Sequence, residues 1–122
     1  MKNNLSQTNT PIQDRSHVVY EFICDKGECM SPNIKSSYIG LTTMSLKERM
    51  SAHRYQGSIF KHFRTVHGVS PKIDYLLQQS KILYLESDPF LLAKFEALHI
   101  RKFKPILNEN ISDFTCLKLN IY

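Results

Sequence analysis

The sequence lacks any long apolar segment, any leader-like start and any internal repeat. Because its apolar runs are only a few residues long, we expect no membrane-spanning helix. No basic stretch followed by an apolar one opens the chain, so we expect no secretory signal. There are only three cysteines, and this odd number predicts reduced thiols in an intracellular protein, nuclear or cytoplasmic depending on the host.

The chain does have enough apolar content for a packed core and an excess of positive charge. Its 122 residues suit one domain, with 42% hydrophobic and 22% charged residues. The formal net charge is +5 and the isoelectric point is near 9.2. This balance favours a polyanionic partner, although a solvated basic surface would give the same composition.

Apolar periodicity and breaker residues divide the chain into short elements. Residues 1–15 are polar without an apolar period, which predicts a flexible N-terminal arm before a domain at residues 16–110. Residues 111–122 form a tail whose alternating apolar positions would suit an edge strand. Strands are predicted at His17–Cys24, Ser36–Thr42 and Lys81–Glu86, and helices at Leu46–Tyr55, Ile59–Val66 and Pro89–Phe103.

Two of the predicted helices begin with recognisable capping patterns. Ser45 and Glu48 have the spacing of a capping box, and Ser87 or Asp88 can cap a helix whose first residue is Pro89. Residues 73–79 fit either a helix or a strand. The order of elements predicts an α+β domain with a small, mostly antiparallel three-stranded sheet flanked by helices.

Several side chains suited to phosphate chemistry fall on these elements. Arg49 and His53 are four residues apart on one helix, so they project from the same face. Glu96 is an isolated carboxylate in an otherwise apolar stretch of the long helix. Tyr20 and Tyr38 lie on neighbouring strands, where simple packing in the sheet is the commonest alternative role for tyrosine.

The chain resembles the GIY-YIG endonucleases, whose motif residues occur here in the expected order as Tyr20, Tyr38-Ile39-Gly40, Arg49, Glu96 and Asn108. The resemblance covers about residues 17–110. The first tripeptide departs from the family pattern, since Val18-Val19-Tyr20 keeps only the tyrosine. Within the superfamily the chain looks most like the endonuclease domain of Penelope-like retroelements, or a free-standing relative from a mobile element or virus.

The resemblance implies a catalytic role for each of five side chains. Glu96 would bind one divalent cation, Mg²⁺ or Mn²⁺, because hard cations prefer carboxylate oxygens. Arg49 would stabilise negative charge on the scissile phosphate. Tyr20 would act as general base, with His53 as its proton relay or as a phosphate contact, and Tyr38 would hold the phosphate or the water.

Four further residues are predicted to serve substrate binding. Gly40 would let the substrate backbone approach the strand, unless it only marks a bulge. Lys47 and Arg54 would contact DNA phosphates, with solvated helix faces as the alternative. Asn108 would brace the site through hydrogen bonds to the backbone.

A structural zinc site is suggested by two cysteines and two histidines. Cys24 and Cys29 flank a loop, and His62 and His67 end a helix, which together make a tetrahedral ligand set. The cysteine spacing is at the long end of the usual range, so packed thiols and exposed histidines are the alternative. The Penelope-like pattern also has cysteines and histidines here. His53 is a competing fourth ligand.

Taken together, these features predict a metal-dependent DNA endonuclease that nicks one strand of double-stranded DNA per active site. A chain of this size would act as a monomer or a weak homodimer. A non-catalytic, zinc-stabilised DNA-binding module on the same fold is the alternative.

Overall fold

The computed structural model of the chain describes residues 10–29 and 36–108. The predicted edge strand in the tail at 111–122 lies outside these residues. The described part contains three strands, namely β1 (Val18–Ile23), β2 (Ser37–Thr42) and β3 (Ser80–Leu85). Its α-helices are α1 (Leu46–His53), α2 (Gly57–His62), α3 (Ile73–Gln78) and α4 (Pro89–Phe103).

The three strands form one antiparallel sheet in the order β2-β1-β3. In this register Tyr20 on the central strand lies opposite Gly40 on β2 and Ile82 on β3. The predicted α+β class, with a small antiparallel sheet flanked by helices, is confirmed. Residues 73–79, which fitted either type of element, form a helix over most of their length.

The two faces of the sheet are covered by different helices. One face presents Tyr20 and Phe22 to a core that includes Leu46 of α1 and Ile59 of α2. The other face presents Val19, Ile39 and partly buried neighbours to Leu92 and Ile100 of α4. Because side chains alternate along a strand, residues one apart on β1 belong to different cores. The fold is therefore three layers with the sheet in the middle.

The predicted helix starts are confirmed in atomic detail. Ser45 Oγ accepts a hydrogen bond from the Glu48 N–H at 3.2 Å, and Glu48 Oε1 accepts one from the Ser45 N–H at 3.3 Å. At the start of α4, Asp88 Oδ1 accepts from the Phe90 N–H at 2.9 Å. These bonds satisfy amides that have no partner within the helix.

The last residues of the predicted arm meet the start of α1. Ile12–Asp14 form a single 3₁₀ turn, and the Arg15 carbonyl accepts a hydrogen bond from the Leu46 N–H at 2.9 Å. Among the described residues, no helix is both long enough and apolar enough to cross a membrane.

Candidate active site and metal centre

Three of the predicted catalytic side chains form a connected group around the Tyr20 hydroxyl. Tyr20 Oη lies 2.7 Å from His53 Nε2, and Arg49 Nε donates to the same oxygen at 3.3 Å. The helical spacing of Arg49 and His53 puts both side chains against β1. His53 is bonded to Tyr20 and does not belong to the group of four possible metal ligands found among the described residues.

Burial and charge decide which groups in this site carry protons. Burial, followed by the positive charge of Arg49, lowers the pKa of His53 to about 3, so its imidazole is neutral at physiological pH. Burial, followed by the nearby Tyr38, raises the pKa of Tyr20. We therefore assign the hydrogen bonds in one direction: Arg49 donates to Tyr20, and the Tyr20 hydroxyl donates to His53.

Tyr38 completes an aromatic cluster around the hydroxyl of Tyr20. Its ring lies 6.2 Å from the Tyr20 ring and 5.2 Å, edge to face, from His53. Burial raises the pKa of Tyr38, which keeps it a neutral hydrogen-bond donor. Both phenols are almost fully buried, while Arg49 is partly exposed. Arg49 is thus the member of this group best placed to meet an external phosphate.

Gly40 leaves the space that the two tyrosine rings fill. A Cβ at this position would lie 2.7 Å from Tyr20 Oη, 2.7 Å from Tyr38 Cε2 and 2.9 Å from Tyr20 Cζ. Gly40 is itself buried. The rings that approach Gly40 are thus those of the protein's own tyrosines, and the expected approach of a substrate backbone stays a prediction.

Replacing Gly40 with alanine is expected to displace both tyrosines, because neither buried ring can move without disturbing the core. The cost should be about 1–3 kcal/mol of stability, with loss of the Tyr20–His53 hydrogen bond. Thermal unfolding and the nicking assay below measure the two effects. Gly68→Ala is the control, since Gly68 has a φ of 70° but open space around it. Gly68→Ala should lower stability and spare activity; normal activity in Gly40→Ala would contradict this role.

Glu96 reaches the same region from the opposite face of the sheet. It lies on α4, which packs on β2, and its carboxylate accepts a hydrogen bond from the Leu41 backbone N–H. Burial raises the pKa of Glu96 to about 7, against the lowering effects of Arg49 and of the Leu41 N–H. A half-buried carboxylate beside a single arginine is poorly neutralised by the protein, which favours binding of a further cation.

Asn108 holds the outer edge of β2 at Ile39. Its Oδ1 accepts from the Ile39 N–H at 2.7 Å, and its Nδ2 donates to the Ile39 carbonyl at 2.8 Å. The side-chain amide thereby pairs with the strand as a neighbouring strand would. The predicted hydrogen bonds from Asn108 to the backbone are present. Asn108 is only 1% exposed, and both of these side-chain hydrogen bonds are to β2, so any effect of Asn108 on substrate would be transmitted through that strand.

The predicted cysteine and histidine ligands converge at one end of the sheet. The ligand atoms of Cys24, Cys29, His62 and His67 all lie within 4.8 Å of one another. Sulfur-to-nitrogen distances are 3.4 Å for Cys24 to His67, 3.5 Å for Cys29 to His62 and 3.6 Å for Cys29 to His67. Neither cysteine is in a disulfide. The four side chains can hold a metal ion.

A local π-helical turn brings the two histidines to the same side. In an α-helix, residues five apart point about 140° away from each other. After α2 the chain continues as a π-turn, Phe63–His67, in which residues five apart are bonded and nearly aligned. Thr65 Oγ1 donates a hydrogen bond to the Lys61 carbonyl at 2.8 Å. In an α-helix this carbonyl would accept from the Thr65 N–H, so the side-chain bond competes with the backbone bond.

Tyr75 and Asp25 surround the thiol of Cys24, and sequence reasoning missed both. The Tyr75 hydroxyl bonds to Asp25 Oδ1 at 2.5 Å, accepts from the Asp25 N–H at 3.0 Å, and lies 3.9 Å from Cys24 Sγ. These contacts join α3 to the end of β1, across 50 residues of sequence. No local pattern links the two positions, so only the fold reveals them.

The predicted phosphate-binding side chains of α1 differ in their surroundings. Lys47 is exposed on the first turn. Arg54 directly follows the helix. Its Nη2 donates a hydrogen bond to Ser51 Oγ at 3.0 Å, and its guanidinium lies over the ring of Tyr55.

Comparisons of the chain with protein-family models, with curated proteins and with solved structures found no match. Its function is therefore inferred from the chemistry of its own side chains.

Proposed function

We propose that the protein is a metal-dependent DNA endonuclease of the GIY-YIG type, intracellular and associated with a mobile element or virus. The observation that carries this proposal is the Arg49–Tyr20–His53 group, with Glu96 reaching the same arginine from the other face of the sheet. Hydrolysis of a phosphodiester requires a base for the attacking water and positive charge for the phosphoryl oxygens. These side chains supply both.

Proton movement would begin at Tyr20 Oη. The attacking water gives its proton to this oxygen as the phenol proton passes to His53 Nε2 over 2.7 Å. In the free protein this transfer is unfavourable, because burial and Arg49 disfavour imidazolium. A bound phosphodiester brings negative charge to Arg49, which opposes that effect and makes His53 a better acceptor.

Arg49 would hold the scissile phosphate. Its guanidinium is bonded to the hydroxyls of Tyr20 and Tyr38, so the donors left over would bind phosphoryl oxygens. This arrangement ties the phosphate to the hydroxyl that receives the proton. Tyr38, neutral and beside both Tyr20 and His53, would orient the phosphate or the water.

Glu96 would hold the catalytic cation, Mg²⁺ or Mn²⁺. Its carboxylate fits a hard cation because it is partly buried and incompletely neutralised by Arg49. A cation bound there would supply positive charge for the phosphoryl and leaving oxygens. The hydrogen bond from the Leu41 N–H ties the carboxylate to β2.

Zinc is the metal that we propose for the cysteine and histidine cluster. Zinc–sulfur bonds of about 2.3 Å and zinc–nitrogen bonds of about 2.0–2.1 Å at the tetrahedral angle imply sulfur-to-nitrogen distances of about 3.6 Å. The distances of 3.4–3.6 Å in this cluster agree with that value. Cys24 directly follows β1, which carries Tyr20, so zinc would stabilise the strand pair that bears the active site.

Double-stranded DNA is the proposed substrate, bound by a monomer or weak homodimer that nicks one strand per site. Exposed Lys47 on α1 and Lys61 on α2 add positive charge to the helices on the same side of the sheet as Arg49. A zinc-stabilised DNA-binding module would need the basic surface and the cluster alone. It would not need a buried tyrosine–histidine pair or a partly buried carboxylate, which is why catalysis is the preferred function.

Replacing Arg49 with alanine is expected to abolish nicking of supercoiled plasmid, with a fall of at least about 100-fold in rate. The guanidinium would no longer hold the phosphate, and the Tyr20 hydroxyl would lose its donor. Open-circle product on a gel measures the rate with Mg²⁺ or Mn²⁺. Arg101→Ala is the control, since Arg101 is exposed near the end of α4. Nicking by Arg49→Ala at the wild-type rate would contradict the assignment.

A further inference from the structure

The turn after α1 presents an aromatic ring on a fixed backbone. The Tyr55 N–H and the Gln56 N–H both donate to the Ala52 carbonyl, at 3.1 and 3.2 Å. The side chain of Tyr55 is nevertheless 68% exposed. Ordering the turn without burying this ring leaves a rigid apolar surface facing solvent.

An arginine is stacked on this ring. The Arg54 guanidinium carbon lies 4.9 Å from the centre of the Tyr55 ring, and its terminal nitrogen donates to Ser51 Oγ at 3.0 Å. Arg54 Nε is the buried side-chain donor that lacks a hydrogen-bond partner among the described residues. The guanidinium is therefore held over the ring by its bond to α1, with one donor unused.

The pair directly follows His53 of the proposed active site along the chain. Tyr55 follows His53 by two residues, so their Cα atoms are at most about 7.6 Å apart. The turn also closes over His53, because a Cβ at Gly57 would lie 3.6 Å from His53 Nδ1. His53 in turn contacts the Tyr20 hydroxyl at 2.7 Å. Tyr55 thus follows, by two residues, the histidine that contacts the proposed general base.

We propose that Arg54 and Tyr55 form a platform for one unpaired DNA base next to the scissile phosphate. This inference rests on the proposed nuclease function and names its substrate class. Aromatic rings and guanidinium planes stack on any base, but a base inside continuous duplex already has neighbours on both faces. The platform therefore selects DNA with an unpaired base, such as a bulge or a flap, over continuous duplex.

Binding without cleavage tests the platform. The full chain, loaded with zinc and without Mg²⁺, is titrated with oligonucleotides of one sequence: a continuous duplex and a duplex with one unpaired 2-aminopurine. Wild type should bind the bulged duplex more tightly and quench its fluorescence. Tyr55→Ala should weaken binding to the bulge about tenfold and leave the continuous duplex unchanged. Tyr55→Phe, which keeps the ring, should behave as wild type.

Phe90→Ala is the matched control, because Phe90 is 80% exposed but lies on the first turn of α4. It should leave both affinities unchanged. Equal binding of the bulge by wild type and Tyr55→Ala would overturn the platform, even if wild type nicks plasmid with Mg²⁺. Bulge preference that depends on Tyr55, in a protein that never nicks, would support the platform and refute the nuclease.

Discussion

Replacing Glu96 with glutamine is expected to abolish nicking while leaving the fold and DNA binding intact. Glutamine keeps the size of the side chain but removes the charge that would hold Mg²⁺ or Mn²⁺. The loss should be about 100- to 1,000-fold or more in rate, the range found when one group that stabilises charge in a transition state is removed. Single-turnover nicking of supercoiled plasmid measures the rate, and the affinity for DNA is measured separately.

Asp74→Asn is the control for this loss of charge. Asp74 is an exposed carboxylate in the first turn of α3, on the other side of the sheet from α4. It should keep wild-type nicking. Because Glu96 has a pKa raised by burial, its neutral replacement should not destabilise the cation-free protein at neutral pH. If Glu96→Gln nicks at the wild-type rate, the carboxylate does not hold the catalytic cation.

The double replacement Cys24→Ser, Cys29→Ser is expected to remove zinc and destabilise the protein by several kcal/mol, since structural zinc contributes directly to folding free energy. Without the metal ion, no metal–ligand bonds would join the segment that carries the two cysteines to the segment that carries His62 and His67. The strand β1, which ends one residue before Cys24, would then hold Tyr20 less firmly. Metal analysis and thermal unfolding measure the two effects, and nicking should fall with them.

Cys116→Ser is the control, because it removes a thiol to which no role is assigned. It should retain the wild-type zinc content. If the double variant does not fold, the zinc content of purified wild type still tests the proposal, with about one zinc per chain expected. Zinc at the same level in wild type and in a soluble double variant would exclude Cys24 and Cys29 as ligands.

The sequence was informative wherever the decisive interactions are local. The capping box at Ser45 and the Asp88 cap involve residues two or three apart, so their patterns predict both helix starts directly. Residues 73–79 were ambiguous because their fate depends on tertiary packing. Leu76 is buried against the sheet, and its carbonyl accepts from Ser80 Oγ at 2.6 Å where β3 begins.

Parts of the candidate site needed the fold. The role of Gly40 follows from its register opposite Tyr20, which no local pattern gives. The alignment of His62 and His67 depends on a π-turn, in which Thr65 Oγ1 bonds to the Lys61 carbonyl. The link from Tyr75 to Cys24 spans distant elements. In each case the sequence shows which residue is present, but it does not show which distant residue that side chain contacts in the fold.

Conversion of supercoiled plasmid to open circles by purified wild-type protein tests the central claim most directly. The protein is loaded with zinc, freed of other metals and assayed with and without added Mg²⁺ or Mn²⁺. The expected result is nicking only when one of these cations is added, and its absence in Glu96→Gln tested in parallel. A zinc-loaded, folded protein that binds DNA but never nicks it, or that nicks equally without added cation, would contradict the account.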